Sequence, residues 1–405
     1  MTGSGGPVGE SATAVKAVKS VAKAAESATS GVSRASLIGI SVGVVAAGAA
    51  AGVAIERLTV GRATRRRARE ELDAAAPFGS LRGRSRTVLA ADGTELHVEV
   101  DGPEADPAER RLTVVFCHGY CLNQDSWHFQ RAALREGLRL VFWDQRSHGR
   151  SERSRSYLAG EPASIDQLGA DLKAVLDAVV PDGPIVLVGH SMGGMTVMAL
   201  ADQHPELFRE RVAGVALIGT TAGDWDSVTL GLPAVGARVW RRVGPGVVKL
   251  LGSQVGLVEA TRRLGADFTS VLYRKFSFGG KDVDPAVARF AEQLLDSTSI
   301  DVVAEFYPVF GAHEKTSALR ALAGLPALVL AGTKDLLTPA AHSEAIARAL
   351  PGAELVLVQD AGHLVMLECP ELVNRHLAAL LCRAAEQAGA AAPPRSVRDL
   401  AAGQG

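Results

Sequence analysis

VLVGHSMGGMTV, residues 186–197, is the stretch whose reading decides the fold. An apolar run at 185–188 meets Gly189-His190-Ser191-Met192-Gly193, and a helix-compatible segment follows at once. The G-x-S-x-G pattern therefore stands at a strand-to-helix turn. A serine on so sharp a turn is held in strained backbone, and only small residues two before and two after it let strand and helix approach. Gly189 and Gly193 fill those places, and Gly194 thins the start of the helix further. In that setting Ser191 is a candidate nucleophile rather than a structural turn residue.

On the N-terminal side, Ser164-x-x-Gln167 is a capping box. Ile165, Leu168, Leu172, Val175, Leu176 and Val179 follow it at helical spacing, so this helix delivers the chain to the strand before Ser191. Further upstream, 112–117 is a continuous apolar strand ending in His118-Gly119-Tyr120. A helix starts near Ser126, and the strand 138–143 ends in DQRSHGRS, residues 144–151. Alternating strands at 87–90 and 95–100 are joined by Asp92-Gly93, a hairpin signal. Beyond Ser191, the runs 212–219, 327–331 and 354–358 are buried strands. Strands alternating with helices predict an α/β fold with a doubly wound, mostly parallel sheet and its reactive groups at the carboxyl ends of the strands.

The rhythm breaks between Thr221 and Leu325, where helical runs at 247–257, 285–295 and 302–310 replace strands. This places a helical cap at 222–325, between core segments 86–221 and 326–388. Its aromatics, Trp240, Phe268, Tyr273, Phe276, Phe290, Phe306, Tyr307 and Phe310, suit the interior of the cap better than a pocket lining.

The 405 residues carry 43 Lys and Arg against 44 Asp and Glu, unevenly spread. Residues 1–84 hold 12 basic against 6 acidic side chains and the remainder 31 against 38, so neither part has the footprint of a nucleic-acid-binding domain. Residues 1–34 have the composition of a flexible tail, although Val15, Val18, Val21, Ala22 and Ala25 share one helical face with Lys16, Lys19 and Lys23 near it. Residues 35–55 form an uncharged 21-residue stretch, long enough for a transmembrane helix. Its two small-x-x-x-small spacings, Gly39/Gly43 and Gly48/Gly52, suit self-association in lipid. A cleaved signal peptide and a soluble Ala-rich helix are the competing readings. Six arginines between 57 and 69 oppose export of the chain beyond them, so the expected arrangement is a membrane anchor with the folded part on the cytoplasmic side. A basic linker at 56–85 and a disordered tail at 389–405 complete the layout. Cys117, Cys121, Cys369 and Cys382 have no framework or zinc spacing and read as reduced thiols.

A neutral serine needs a base and a group to orient that base. His97, His128, His204, His342 and His376 lie within or beside ordinary elements, where a histidine is usually structural. His363 lies on a Gly-bearing loop, Asp360-Ala361-Gly362-His363, just past the last strand. Asp335 follows the preceding strand, and Asp224 or Asp226 is an alternative acid. The order Ser191, Asp335, His363 is the one that accompanies this serine turn.

The segments CHGY at 117–120, DQRSHGRS at 144–151, GHSMGG at 189–194, AGTKDLLTP at 331–339 and DAGHLVMLECP at 360–370 are similar to those of the α/β-hydrolase fold superfamily. The resemblance is to its capped serine-hydrolase branch, esterase- and lipase-like and close to the non-haem haloperoxidase-like hydrolases. It implies an oxyanion hole made by the backbone N–H groups of Tyr120 and Met192. It also implies a small-molecule ester, thioester or lipid acyl ester as substrate, with no metal or organic cofactor. Perhydrolysis, carbon–carbon bond hydrolysis and a non-catalytic binding role are the rival functions on the same scaffold. Two positions depart from the pattern: Cys121 stands where many relatives have proline, and Ser147 where many have glycine.

Overall fold

The computed structural model describes residues 77–103, 110–232, 234–254 and 273–403. Eight strands make one sheet: β1 (Arg84–Leu89), β2 (Glu95–Asp101), β3 (Thr113–Cys117), β4 (Arg139–Trp143), β5 (Ile185–His190), β6 (Val212–Ile218), β7 (Ala327–Gly332) and β8 (Glu354–Val358). Their order is β1-β2-β4-β3-β5-β6-β7-β8. The β1–β2 and β2–β4 pairs are antiparallel and all others parallel. Every residue of β3, β4, β5, β6 and β7 is buried, which is why these strands are apolar throughout except at the ends, where Thr113, Arg139 and His190 stand, rather than alternating. β1 starts two residues ahead of the core boundary predicted at 86. Backbone pairing of Arg84 with Val100 carries it, while its arginine side chains stay in solvent.

Helices cover both faces of the sheet. α1 (His128–Leu134) follows a 3-10 turn at Gln124–Trp127 whose entry is capped by Asn123. α2 (Ile165–Val179) and α3 (Met192–Gln203) flank β5. α2 buries the six apolar residues predicted to face inward, each worth about 1.5–3 kcal/mol. Only half of its capping box forms. Ser164 Oγ accepts from Gln167 N at 3.1 Å, but the Gln167 side chain donates to Ser156 Oγ at 2.6 Å instead of reaching back.

Between β6 and β7 the described residues are helical: α4 (Ala234–Gly252), α5 (Pro285–Asp296) and α6 (Ile300–Phe306), then a turn at Val309–Ala312. α4 begins well before the helical run predicted at 247, and 255–272 lie outside the described residues. The run predicted at 302–310 is split at Pro308, whose missing N–H interrupts the helical ladder. α5 is not separate from the sheet's own packing, because Val287, Ala288, Phe290, Ala291 and Leu294 join one apolar cluster with Phe116 and Trp127.

α7 (Ala340–Ala349) follows β7 and α8 (Pro370–Gln387) follows β8. The tail predicted as disordered from 389 instead forms a helix at Arg395–Ala401. Val397 is fully buried in the same cluster as Leu377 and Leu381 of α8, and that burial offsets the weak local signal. The four cysteines are free thiols. Residues 1–34, 35–55 and the basic segment up to 76 lie outside the described residues. Among the described ones, no helix is long and apolar enough to cross a membrane.

Candidate active site

β5 ends at His190 and α3 begins at Met192, so the whole reversal falls on Ser191, at φ 51° and ψ −118°. That conformation costs a non-glycine residue on the order of 1–3 kcal/mol. Neighbouring strands hold it. Ser191 N donates to Ile218 O at 2.9 Å, and Ser191 O accepts from Thr220 Oγ1 at 2.8 Å and from Gly194 N at 2.9 Å. The glycines answer close approaches: a Cβ on Gly189 would lie 2.5 Å from Gly193 O, and one on Gly193 would lie 2.0 Å from Cys117 O.

Asp335 lies in the loop after β7 and His363 in the loop after β8. Asp335 Oδ1 accepts the N–H groups of Leu337 at 2.8 Å and Thr338 at 2.9 Å. Its Oδ2 accepts the Thr338 hydroxyl at 2.8 Å and His363 Nδ1 at 2.7 Å. The Nδ1 proton therefore points at the carboxylate, and Nε2 is the basic nitrogen of the neutral ring. Burial opposes ionisation of Asp335, but the His363 ring and the hydrogen bonds from His363 and Thr338 outweigh it and hold the carboxyl below its usual range. The alternative acids are elsewhere: Asp224 opens a 3-10 turn, and the Asp226 side chain is 94% exposed beside Arg241.

His190, next to Ser191, ties the two loops together. Its Nε2 donates to His363 O at 2.9 Å, and burial above all pushes its pKa down to about 3. The carboxylate of Glu368 accepts from Gly362 N at 2.7 Å and from Gly280 N at 2.6 Å, fixing the loop that carries His363.

The loop before Tyr120 is stapled as firmly. His118 Nδ1 donates to Gly119 O at 2.8 Å, and its Nε2 accepts from Gln145 N at 2.9 Å. The Gln145 side chain donates to His118 O at 2.6 Å and accepts the Thr196 hydroxyl of α3 at 2.7 Å. Cys121 sits at φ 59°, a conformation closed to proline, which explains the departure at that position. Ser147 sits at φ 65°, where glycine would be unstrained. Its hydroxyl donates instead to Glu305 Oε1 of α6 at 2.9 Å, and Arg153 Nη2 reaches Glu305 Oε2 at 2.9 Å. The Tyr120 hydroxyl donates to Val303 O of the same helix at 2.5 Å. These bonds place α6 over the start of α3, where Val302, Phe306, Val309 and Phe310 pack with Met192 and Met195. Of the aromatics predicted between β6 and β7, Phe306 and Phe310 thus lie beside the serine turn. Phe290 packs against Phe78, and Phe268 is outside the described residues.

The five histidines set aside on sequence grounds have local partners. His97 meets Glu99, His128 accepts from Gly79 N, His204 meets Glu206, His342 meets Thr221, and His376 meets Glu354. Sequence reasoning missed Gln145, Glu305, Thr338 and Glu368. Only Thr338 carried a local signal, three residues after an aspartate that its N–H and hydroxyl can reach. Among the described residues, no group of three or more His, Cys, Asp or Glu is arranged to hold a metal ion.

Residues 113–370 match the alpha/beta hydrolase fold family. The chain is 28% identical over 272 residues to the dihydrolipoyllysine-residue acetyltransferase component of an acetoin cleaving system from Pseudomonas putida, a match that covers 66% of this chain and 63% of that protein. The chain thus spans less than two thirds of that relative's length. It is 26% identical over 275 residues to an sn-1-specific diacylglycerol lipase of Mus musculus, covering 67% of this chain and 80% of the lipase. Among solved structures it is similar to an esterase from Thermogutta terrifontis, with TM-score 0.58, 25% identity and coverage of 75% and 99% of the two chains. An enol-lactonase from Burkholderia xenovorans LB400, at TM-score 0.56 and 23% identity over 73% of this chain and 99% of that one, shares the fold. The matched span runs from β3 through the serine turn and the loops of Asp335 and His363, and on that ground the chain belongs to the alpha/beta hydrolase fold family.

Proposed function

We propose that the protein is a serine hydrolase that cleaves a carboxylic ester, thioester or lipid acyl ester through an acyl-enzyme. The observation that carries this reading is the 2.7 Å pair of His363 Nδ1 and Asp335 Oδ2. It stands in loops that leave the same sheet edge as Ser191. Ser191 Oγ attacks the carbonyl carbon while His363 Nε2 takes its proton. The oxyanion is met by the N–H of Met192, at the start of α3, and by that of Tyr120. Asp335 stabilises the imidazolium. Collapse breaks the bond to the leaving oxygen or sulfur, which takes the proton from His363. Water then gives a proton to His363, attacks the acyl carbon and releases Ser191 with its hydroxyl restored. Residues 222–325 act as the cap. The esterase and the diacylglycerol lipase among the similar proteins support an ester as the bond broken.

A fluorophosphonate probe tests the mechanism. It should label Ser191, and Ser191→Ala should lose both labelling and hydrolysis of short acyl p-nitrophenyl esters. Labelling that survives in Ser191→Ala contradicts it. The uncharged 35–55 stretch and the arginines after it support attachment to a membrane with the catalytic part on the cytoplasmic side. Recovery of the intact chain wholly in the soluble fraction after lysis would end that part.

A further inference from the structure

α4 leaves an apolar stripe in water. Its inner face packs on α6: the Trp240 indole donates to the Tyr307 hydroxyl at 2.9 Å, and a Cβ on Gly252 would lie 2.4 Å from Ala304 Cβ. At about 100° per residue, Val235, Val239, Val243, Val247 and Leu250 share one outward arc, and all five are exposed, Val235 by 71% and Val243 by 51%. Ten large hydrophobic side chains are exposed among the described residues, and seven of them are these five with Leu232 and Leu251. So concentrated a patch is unusual for a surface that meets only water. Arg238, Arg241, Arg242 and Lys249 fall on the arc beside it, and α4 contains no acidic residue. Arg241 donates to Asp226 O at 2.5 Å, while Arg238, Arg242 and Lys249 are exposed.

We infer that this face of α4 docks on an anionic lipid bilayer. An apolar arc flanked by cations is the pattern of a helix lying in a membrane interface, with its apolar side in the acyl boundary and its cations at the headgroups. A second copy of the chain is a poorer occupant. A symmetric contact would set the same cationic patch against itself with no acid on the helix to relieve it. Docking brings the bilayer within one helix of the serine turn, because α6, on which α4 packs, also receives the Tyr120 hydroxyl at Val303. The docking itself does not rest on the ester-hydrolase reading.

The test uses the full chain carrying Val243→Trp and vesicles of brominated phosphatidylcholine with or without phosphatidylglycerol. The parent, with Trp127, Trp143, Trp225 and Trp240, sets the baseline. Quenching beyond the parent's is expected on the anionic vesicles. Arg242→Glu and Lys249→Glu should each weaken the half-saturation of that extra quenching by at least about fivefold. Val239→Asp/Val247→Asp should abolish it while leaving the thermal unfolding midpoint unchanged. Absence of vesicle binding overturns the inference, as does binding without extra quenching at position 243, which would place attachment elsewhere, such as residues 35–55. A blue shift of the added indole's emission in Val243→Trp without vesicles also overturns it. If that shift deepens with protein concentration, a second copy covers the face; if it is independent of concentration, residues 255–272 of the same chain do.

Discussion

His363 Nδ1 and Asp335 Oδ2 meet at 2.7 Å although 28 positions separate them in the chain. They meet because β7 and β8 are parallel neighbours with Gly332 opposite Val358, so both loops leave the sheet at one edge. An amide at 335 would keep the shape but could present its NH2 to Nδ1, shifting the ring proton to Nε2 and removing the base. Asp335→Asn should lower kcat on a p-nitrophenyl ester by about 10⁴, the loss seen for the same change in a serine protease, with little change in KM. A decrease under about tenfold would show that Asp335 does not orient the ring.

Gly193→Ala should prevent formation of the serine turn. The added Cβ has backbone 2.0 Å away, at Cys117 O, and backbone cannot step aside as a side-chain tip can. Destabilisation of about 3 kcal/mol or more is expected from overpacking of this kind. Urea unfolding measures it, and a midpoint within error of the parent's would show that β3 is free to shift.

Glu305→Ala should loosen α6 from the serine turn. The Glu305 side chain is fully buried and receives hydrogen bonds from Ser147 and Arg153, so its removal should cost about 2–3 kcal/mol. Limited proteolysis should then cut between 222 and 325 faster than elsewhere, whereas a uniform digestion pattern would place the loss in global stability alone. Ser147→Gly gives the complementary measurement. It relieves the positive φ and deletes the bond to Glu305 and the one accepted from Ser154 N at 3.0 Å, but it leaves the Arg153–Glu305 pair in place, so α6 should stay more resistant to proteolysis than in Glu305→Ala.

Stability should fall as the solution is acidified from neutral pH. Burial above all holds His118 and His190 down to about 3 and His148 to about 4. In the unfolded chain each takes a proton near 6.5. Between those values the unfolded state binds more protons, so the contribution is fully present above about pH 6.5 and declines below it, by up to about 1.4 kcal/mol per pH unit for each histidine. Asp144 and Asp171, raised to about 6 by burial, take up protons in the folded chain over the same range and offset part of the decline, so chemical unfolding between about pH 7.5 and 5 reads the net slope of three histidines against two carboxyls. A free energy that stays constant or rises on acidification over that range would show that these rings are not held neutral in the folded chain.

The boundaries of β8 and the burial of α2 were legible because alternation, apolar runs and caps act over a few residues. α4 was legible only in its last six residues, 247–252. Gly236, Gly244, Pro245 and Gly246 weaken the local helical signal, and the helix persists because its inner face has α6 to pack against. The helix at Arg395–Ala401 has the same explanation, since Val397 finds a buried place that an Ala- and Pro-rich segment does not announce.

The sequence by itself determined the order of the strands along the chain, the serine turn and the sheet edge from which the loops of Ser191, Asp335 and His363 leave. Glycine sterics at 189 and 193 and the periodicity of apolar residues are local properties of the chain. Only the tertiary structure decided that Asp335, rather than Asp224 or Asp226, meets His363, and that Glu305 reaches Ser147 from 158 positions away. Both contacts depend on which strands are neighbours and on where the helices between β6 and β7 come to rest. That is a balance of burial and hydrogen bonding over the whole domain, which no short window of sequence contains.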